Sequence, residues 1–233
     1  MKYPSCIGEA LCVRFMKIPN WFRSDKTPGK NERQENVEQE QIPVNIHRSP
    51  VLKLLSKKMA EDRKFSILDT GPPLNKNIEF FSQFRCKLYI DDFYSSFRDF
   101  DFFAPADECS PENLFSYLLP FQKGTRFDII LLWDVLNYMK LEECGYLFNY
   151  LARFSHPGTV LFAMVYTRRE ISEVPISFRI ENRERIHYDF NSSILKTCPR
   201  HEGPSLENQL GRFQITNSYL LRNGFKEYLF TCS

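Results

Sequence analysis

The segment FDIILLW, residues 127–133, decides the fold class of this chain. Every residue in it except Asp128 is apolar. A continuous apolar run of this length indicates a strand buried on both faces, as in the middle of a parallel sheet. Asp134 follows the strand directly, so polar chemistry is expected at its carboxyl end.

Helical and strand patterns alternate on both sides of this segment. Strands are predicted at 65–69, 87–91 and 159–167. Helices are predicted to begin at Ser49-Pro50, at Asn75 or Asn77, and at Ser110-Pro111. A further helix is predicted from Asn137 to Phe154. Asn223-Gly224 separates two alternating apolar runs, which is typical of a hairpin turn. The sequence therefore predicts an α/β fold with a doubly wound, mostly parallel sheet closed by a C-terminal antiparallel hairpin.

The chain divides into three predicted parts: an N-terminal arm (1–23), a disordered linker (24–48) and an α/β domain (49–233). Residues 24–41 contain one aliphatic residue, Val37, which is too little apolar surface to offset the entropy of ordering. The arm is interpreted either as a disordered leader or as a docking peptide carrying Trp21 and Phe22. Within the domain, residues 168–203 are polar and are expected to form a solvated loop with a possible strand pair at 178–180 and 186–190.

Composition excludes several classes of function. The 233 residues include 31 Lys and Arg against 29 Asp and Glu, a net charge of +2, so no strong field favours DNA or an anionic membrane. The longest apolar runs fall well short of 18 residues, so no membrane span is expected. The seven Cys and four His show no zinc-type spacing, which predicts no metal site and reduced thiols in a cytoplasmic protein.

The loops that follow the predicted strands contain the candidate ligand site. Ligands of doubly wound sheets bind at the carboxyl ends of the strands, here the loops 71–77, 91–94 and 133–138. Asp69 and Gly71 end the first strand before a helix start, where glycine allows close backbone approach and the helix offers free amides. Asp91 lies twenty residues after Gly71, the usual interval to a carboxylate that binds ribose hydroxyls.

The order of these elements resembles that of class I S-adenosylmethionine-dependent methyltransferases. The similar segments are ILDTG (67–71), LYIDD (88–92), FDIILLWDVLNYM (127–139), GTVLFAMVYT (158–167) and the closing hairpin. The resemblance covers about residues 49–233 and implies a seven-stranded Rossmann-like sheet whose last strand is antiparallel. It is greatest to the branch that acts on small molecules, and the Asn-Pro-Pro-Tyr type motif of nucleic-acid amino-methyltransferases is absent.

The resemblance implies S-adenosylmethionine as cofactor and assigns residues to it. By position, Asp69 and Gly71 would lie at the methionine end, and Asp91, or alternatively Asp92, would bind the ribose hydroxyls. Trp133 and Asp134 would border the methyl group. In the same loop, Asn137 and Tyr138 are candidates for substrate binding.

Each candidate also has a structural interpretation. Asp69 is equally suited to capping the amides of its own loop, and Asp91 to being a solvated acid at a strand end. Trp133 is as well suited to the core as to a site wall. Asp134 is a candidate N-cap for the helix that follows it.

The chain departs from the glycine-rich pattern of the family in one place. The segment DTGPPLN (69–75) keeps only the first glycine, and Pro73 brings a ring where the family brings bare backbone close to the cofactor. Two hypotheses follow, and whether the chain is an enzyme stays open between them. One is methyl transfer to a small molecule or other non-DNA acceptor. The alternative is a non-catalytic module that has lost the cofactor and binds a protein partner. A nicotinamide-dependent dehydrogenase is disfavoured because the Gly-x-Gly-x-x-Gly fingerprint is absent.

Overall fold

A computed structural model of the protein describes residues 12–13, 45–98, 111–199, 201 and 203–233. Its strands are β1 (Cys12–Val13), β2 (Ile46–Arg48), β3 (Phe65–Asp69), β4 (Cys86–Ile90), β5 (Phe127–Trp133), β6 (Ser155–Tyr166), β7 (Glu170–Ser172), β8 (Ser177–Asn182), β9 (Arg185–Asp189), β10 (Leu195–Thr197), β11 (Phe213–Leu220) and β12 (Phe225–Cys232). Its helices are α1 (Pro50–Met59), α2 (Asn75–Phe81), α3 (Phe93–Arg98), α4 (Pro111–Leu118), α5 (Leu141–Ala152) and α6 (Gly203–Glu207), with a 3₁₀ helix at Val135–Tyr138.

Seven strands form the main sheet in the order β1-β4-β3-β5-β6-β12-β11. The strands β1, β4, β3, β5 and β6 are mutually parallel, whereas β12 is antiparallel to both β6 and β11. Every residue of β5 is buried, as its apolar run predicts. The predicted fold class is confirmed: a doubly wound, mostly parallel sheet of the Rossmann-like methyltransferase type, closed by an antiparallel hairpin. No described helix is long and apolar enough to cross a membrane.

The two faces of the main sheet carry separate apolar clusters. One cluster joins the sheet to α4 and α5 and includes Phe115, Leu147 and Phe148. The other joins it to α1 and α2 and includes Leu52 and Phe81. Burial on both faces explains why β5 lacks the alternation of polar and apolar residues seen in a half-exposed strand.

Several element boundaries differ from the sequence-based expectation. The single helix predicted from Asn137 to Phe154 is two elements, because Met139 adopts an extended backbone between the 3₁₀ helix and α5. Helix α2 begins at Asn75, one of its two predicted starts, but its N-cap is Leu74, so neither asparagine caps it.

The boundaries of the N-terminal parts also differ in detail. The predicted linker 24–48 overlaps β2, which pairs with β9 in a separate three-stranded sheet. The sheet edge beside β4 is occupied by β1, from the predicted N-terminal arm. Residues 14–44, and with them most of the predicted linker, lie outside the described residues.

An insertion between β6 and α6 packs over the carboxyl ends of the central strands. We call residues 170–197 the cover; it contains the antiparallel pairs β7–β10 and β8–β9. The predicted strand pair at 178–180 and 186–190 is confirmed, but the expectation of a solvated loop around it is wrong. Phe178, Ile180, Ile186 and Tyr188 are buried, because this alternating apolar face packs onto the domain.

Candidate functional site

Asp69, the last residue of β3, lies at the centre of the loops where the ligand site was predicted. Its side chain is 1% exposed. The Oδ1 atom accepts a hydrogen bond from the Trp133 indole N–H at 2.6 Å and another from the Gly71 amide at 3.0 Å. The carboxylate therefore holds its own loop and the end of β5 together, which is the structural role that the sequence left open for it.

Trp133 is held in an unusual backbone conformation at the end of β5. Its φ angle is +50°, the only positive value among the described non-glycine residues. This region costs an ordinary L-residue roughly 1–2 kcal/mol, so other contacts must offset the strain. The indole stacks on Phe178 of the cover, with ring centroids 5.6 Å apart and planes 7° from parallel. The same ring meets Phe162 edge-on at 5.7 Å.

The Trp133 indole lies close against Gly71. A Cβ atom at this position would lie 3.0 Å from Cδ1 and 3.1 Å from Nε1 of Trp133, and 3.2 Å from Asp69 Oδ1. These separations are shorter than ordinary carbon contacts of about 3.5–4.0 Å. The glycine on which the resemblance to the methyltransferase pattern rests thus accommodates a side chain of the protein itself.

Two polar side chains fasten the cover over this site. The Asn77 amide donates to the Phe178 carbonyl at 3.0 Å and accepts from the Ile180 N–H at 2.8 Å, in the manner of a neighbouring strand. Asp134 Oδ2 accepts the Ile176 N–H at 3.0 Å. Asn77 and Asp134 are both buried, so these bonds are shielded from competition by water.

Tyr138, a predicted substrate-binding residue, also contacts the cover. Its hydroxyl lies 3.2 Å from the Ser172 carbonyl and 3.1 Å from the Val174 carbonyl. Burial raises the pKa of this hydroxyl, so the group remains a neutral donor. These contacts attach the cover to the loop after β5.

Asn137, the other predicted substrate-binding residue, is fully buried, and both atoms of its side-chain amide group form hydrogen bonds within the protein. Its Nδ2 donates to the carbonyls of Asp134 and Met164, both at 2.9 Å, and its Oδ1 accepts the Tyr166 N–H at 2.7 Å. The side chain therefore ties the turn after β5 to the end of β6.

Asp91, the predicted ribose-binding residue, stands apart from this group. Its amide donates to the Asp69 carbonyl at 2.9 Å, which continues the pairing of β3 and β4. The pKa of Tyr150, a residue of α5, is raised mainly by burial and further by the charge of Asp91. The Asp91 carboxylate therefore acts on the side of the sheet that α5 covers. Asp91 does not border the cavity beside Trp133.

The space left at the predicted cofactor site is small. A cavity of about 30 Å³ remains, bounded by residues that include Gly71, Asn77, Trp133, Asp134, Ile176 and Phe178. It has room for roughly two water molecules, whereas pockets for ligands of cofactor size have volumes of about 300–1,000 Å³. Within the described ranges, no group of three or more His, Cys, Asp or Glu side chains is arranged to hold a metal ion.

The two buried carboxyl groups have perturbed acidity. Burial raises the pKa of Asp69 to about 6, against the opposing effect of the hydrogen bonds from Trp133 and Gly71. Burial also raises the pKa of Asp134 to about 7, against the hydrogen bond from the Ile176 amide. Removal from water disfavours the charged form more than one or two donors can restore.

Comparison with known proteins adds information about the fold. No family model and no curated protein matches the chain. Among solved structures, the glycopeptide N-methyltransferase MtfA bound to S-adenosyl-L-methionine matches with 11% identity and a TM-score of 0.44, over 78% of this chain and 93% of its own. Magnesium protoporphyrin IX methyltransferase (ChlM) from Synechocystis PCC 6803 matches with 13% identity and a TM-score of 0.42, over 78% of each chain.

A third match is the 1,6-didemethyltoxoflavin-N1-methyltransferase of Burkholderia thailandensis, with 12% identity, a TM-score of 0.42 and 79% of each chain covered. The similarity is one of fold. At these identities and scores it says nothing about what this chain binds, which depends on the side chains described above.

Three residues that shape the site were missed in the sequence: Asn77, Ile176 and Phe178. Phe178 begins an alternating pattern with Ile180, which indicated a strand but not the surface it would cover. Ile176 acts through its backbone amide, which no side-chain pattern reveals. Asn77 lies near a helix start, where a cap is the ordinary interpretation of asparagine.

Substitution of Asn137 tests whether this residue has a structural role or the substrate-binding role predicted from the sequence. Asn137→Ala should lower the free energy of unfolding by about 3 kcal/mol, because buried backbone groups of β6 lose their partners. Urea unfolding would measure the change. The exposed Asn208 is the control, and Asn208→Ala should stay within about 0.5 kcal/mol of the parent protein. An Asn137→Ala protein as stable as the parent would contradict this assignment.

The raised pKa values of Asp69 and Asp134 predict how stability depends on pH. Because the folded state binds these protons more tightly than the unfolded state, the stability that these two groups contribute should be complete below about pH 4 and be lost as the pH rises through their folded pKa values of about 6 and about 7. A pKa that differs by one between the folded and unfolded states changes the free energy of unfolding by about 1.4 kcal/mol. Asp134→Asn keeps an oxygen for the Ile176 amide but cannot ionise, so it should reduce the fall. Chemical unfolding at a series of pH values is the measurement.

The control for this series is Asp62→Asn. The Asp62 side chain is 93% exposed, so its substitution should leave the pH dependence unchanged. An Asp134→Asn variant whose stability changes between pH 4 and 7 just as that of the parent protein does would show that Asp134 makes no such contribution.

Proposed function

We propose that this protein is a non-catalytic member of the methyltransferase-like fold, in which side chains of the protein fill the position of the cofactor. The observation that carries the proposal is the Trp133 indole, which lies against Gly71 and donates its N–H to Asp69 at 2.6 Å. The resemblance assigns the space beside these two residues to the methionine end of S-adenosylmethionine. A group already seated and hydrogen-bonded there competes directly with the cofactor.

The residues present do not fit S-adenosylmethionine in this conformation. The remaining cavity of about 30 Å³ is roughly a tenth of the smallest pockets that hold ligands of this size. Phe178 closes it from above, and Pro72 forms part of its wall. We therefore assign no methyl-transfer step to these residues.

An exposed apolar surface on the cover supports the proposal that the protein binds a partner protein. Phe190, Ile194 and Leu195 are 50%, 60% and 56% exposed, within six consecutive positions. Single exposed apolar residues are common, but a local group of large ones is typical of interaction sites. On this proposal the fold presents the cover to a partner protein.

The second candidate function is S-adenosylmethionine-dependent methyl transfer to a small molecule or other non-DNA acceptor. It is favoured by the way the cover is attached at the site. Asn77, Asp134 and Tyr138 hold it over the site by side-chain hydrogen bonds. Within the described residues its strands pair with β2 and with one another, and not with the main sheet. Movable segments that close over an active site and open to expose it are common in enzymes.

Calorimetric titration with S-adenosylmethionine separates the two functions. On the non-catalytic proposal, the parent protein and an Asp91→Ala variant should both show no binding at millimolar cofactor, because the Trp133 indole and Phe178 occupy the site. Micromolar binding that Asp91→Ala removes would overturn the proposal in favour of the enzyme.

A second pair of variants tests whether the site is merely covered. Phe178→Ala removes the ring above Trp133, and Phe190→Ala is its control because that ring lies on the same cover but is half exposed. The non-catalytic proposal predicts no cofactor binding by either variant. Binding gained by Phe178→Ala alone would identify a functional site beneath a movable cover.

A further inference from the structure

A second cavity lies on the opposite face of the main sheet from Trp133. Its volume is about 230 Å³, and it opens at the carboxyl end of β6, where β12 begins. Val165 and Tyr228 belong to the apolar cluster that the sheet shares with α5, whereas Trp133 belongs to the cluster on the other face. The lining residues used below are Val165, His201, Gly203, Lys226 and Tyr228.

Tyr228 brings a hydroxyl to this cavity. Its side chain is 2% exposed, and its ring stacks on Phe230 with centroids 5.5 Å apart. Within the described part of the chain, the hydroxyl makes no hydrogen bond. A Cβ atom on Gly203 would lie 4.0 Å from this oxygen, so the hydroxyl faces Gly203 across the cavity. The hydroxyl can therefore donate a hydrogen bond to a molecule that enters the cavity.

Lys226 supplies a positive charge beside that hydroxyl. It is two residues before Tyr228 on the same face of β12, and its ammonium lies 4.8 Å from the centre of the Tyr228 ring. Among the described carboxylates, none forms an ion pair with Lys226 within 4 Å. The charge of Lys226 is therefore available to an anion that enters the cavity.

His201 forms a neutral wall of the same cavity. Its Nε2 atom lies 2.7 Å from the Leu136 carbonyl oxygen and 3.7 Å from the Cys144 sulfur. Burial lowers the pKa of His201, so the ring is uncharged at neutral pH. Val165 adds apolar surface, so the site combines the Lys226 cation, hydroxyl-bearing side chains and apolar surface, as small-molecule sites commonly do.

We propose that this cavity binds a small monocarboxylate with an apolar body about the size of benzoate. The Lys226 ammonium and the Tyr228 hydroxyl donate to the carboxylate, and the apolar body lies against Val165. The volume of about 230 Å³ is below the range of cofactor-sized pockets and suits a ligand of this size. This site is independent of the proposed function, because it shares no lining residue with the cavity beside Trp133.

The test uses benzoate and its uncharged isostere benzamide, titrated into the full chain and followed by ligand-observed NMR. Benzoate should bind saturably in the millimolar range or tighter, and benzamide about tenfold more weakly or not at all, because it lacks the charge that Lys226 attracts. No saturable benzoate binding up to about 10 mM, or equal affinities for the two ligands, would overturn the proposal.

Three variants locate the binding. Lys226→Met removes the charge and keeps an apolar stem, and Tyr228→Phe removes only the hydroxyl; each should weaken benzoate binding by about tenfold. Lys87→Met is the matched control, since Lys87 lies over the Tyr89 ring at 4.4 Å on β4 in the same arrangement. Thermal unfolding verifies that each variant is folded. Unchanged affinity in Lys226→Met, or an equal loss in Lys87→Met, would place benzoate elsewhere.

Discussion

The hydrogen bond from the Trp133 indole to the buried Asp69 carboxylate is the contact on which the rest of the site depends. It joins the ends of two adjacent parallel strands, and it occurs together with the positive φ of Trp133 and the close approach of the indole to Gly71. The indole then forms the surface on which Phe178 stacks. On the proposed function, this aromatic ring takes the volume that a ligand would otherwise occupy.

The cover turns this local arrangement into a closed structure. Its strands bury an alternating apolar face, and its backbone groups are matched by the side chains of Asn77, Asp134 and Tyr138. Two of these three residues were candidates for ligand binding in the sequence. Polar side chains at the ends of buried strands suit either role, because a carboxylate or a hydroxyl serves a ligand or a backbone amide or carbonyl equally well.

The predicted candidates fall into two groups, according to whether the sequence pattern that identified them also determines where the side chain lies. Asp69, Gly71, Trp133 and Asp134 lie together because carboxyl ends of parallel strands meet at one edge of a sheet, which sequence order alone implies. Asp91 also ends a strand, but it does not border the cavity. The interval between a glycine and an acid gives the residue's position along the chain and leaves the direction of its side chain undetermined.

What the sequence by itself determined is the fold class: apolar runs, helix starts and the Asn223-Gly224 turn are local signals, and together they specify the sheet and its closing hairpin. The tertiary structure alone decided whether the site is open. That depends on which surface the residues 170–197 cover and on where the Trp133 ring turns. Both are contacts between residues far apart in sequence, such as Asn77 with Phe178, and no local periodicity encodes them.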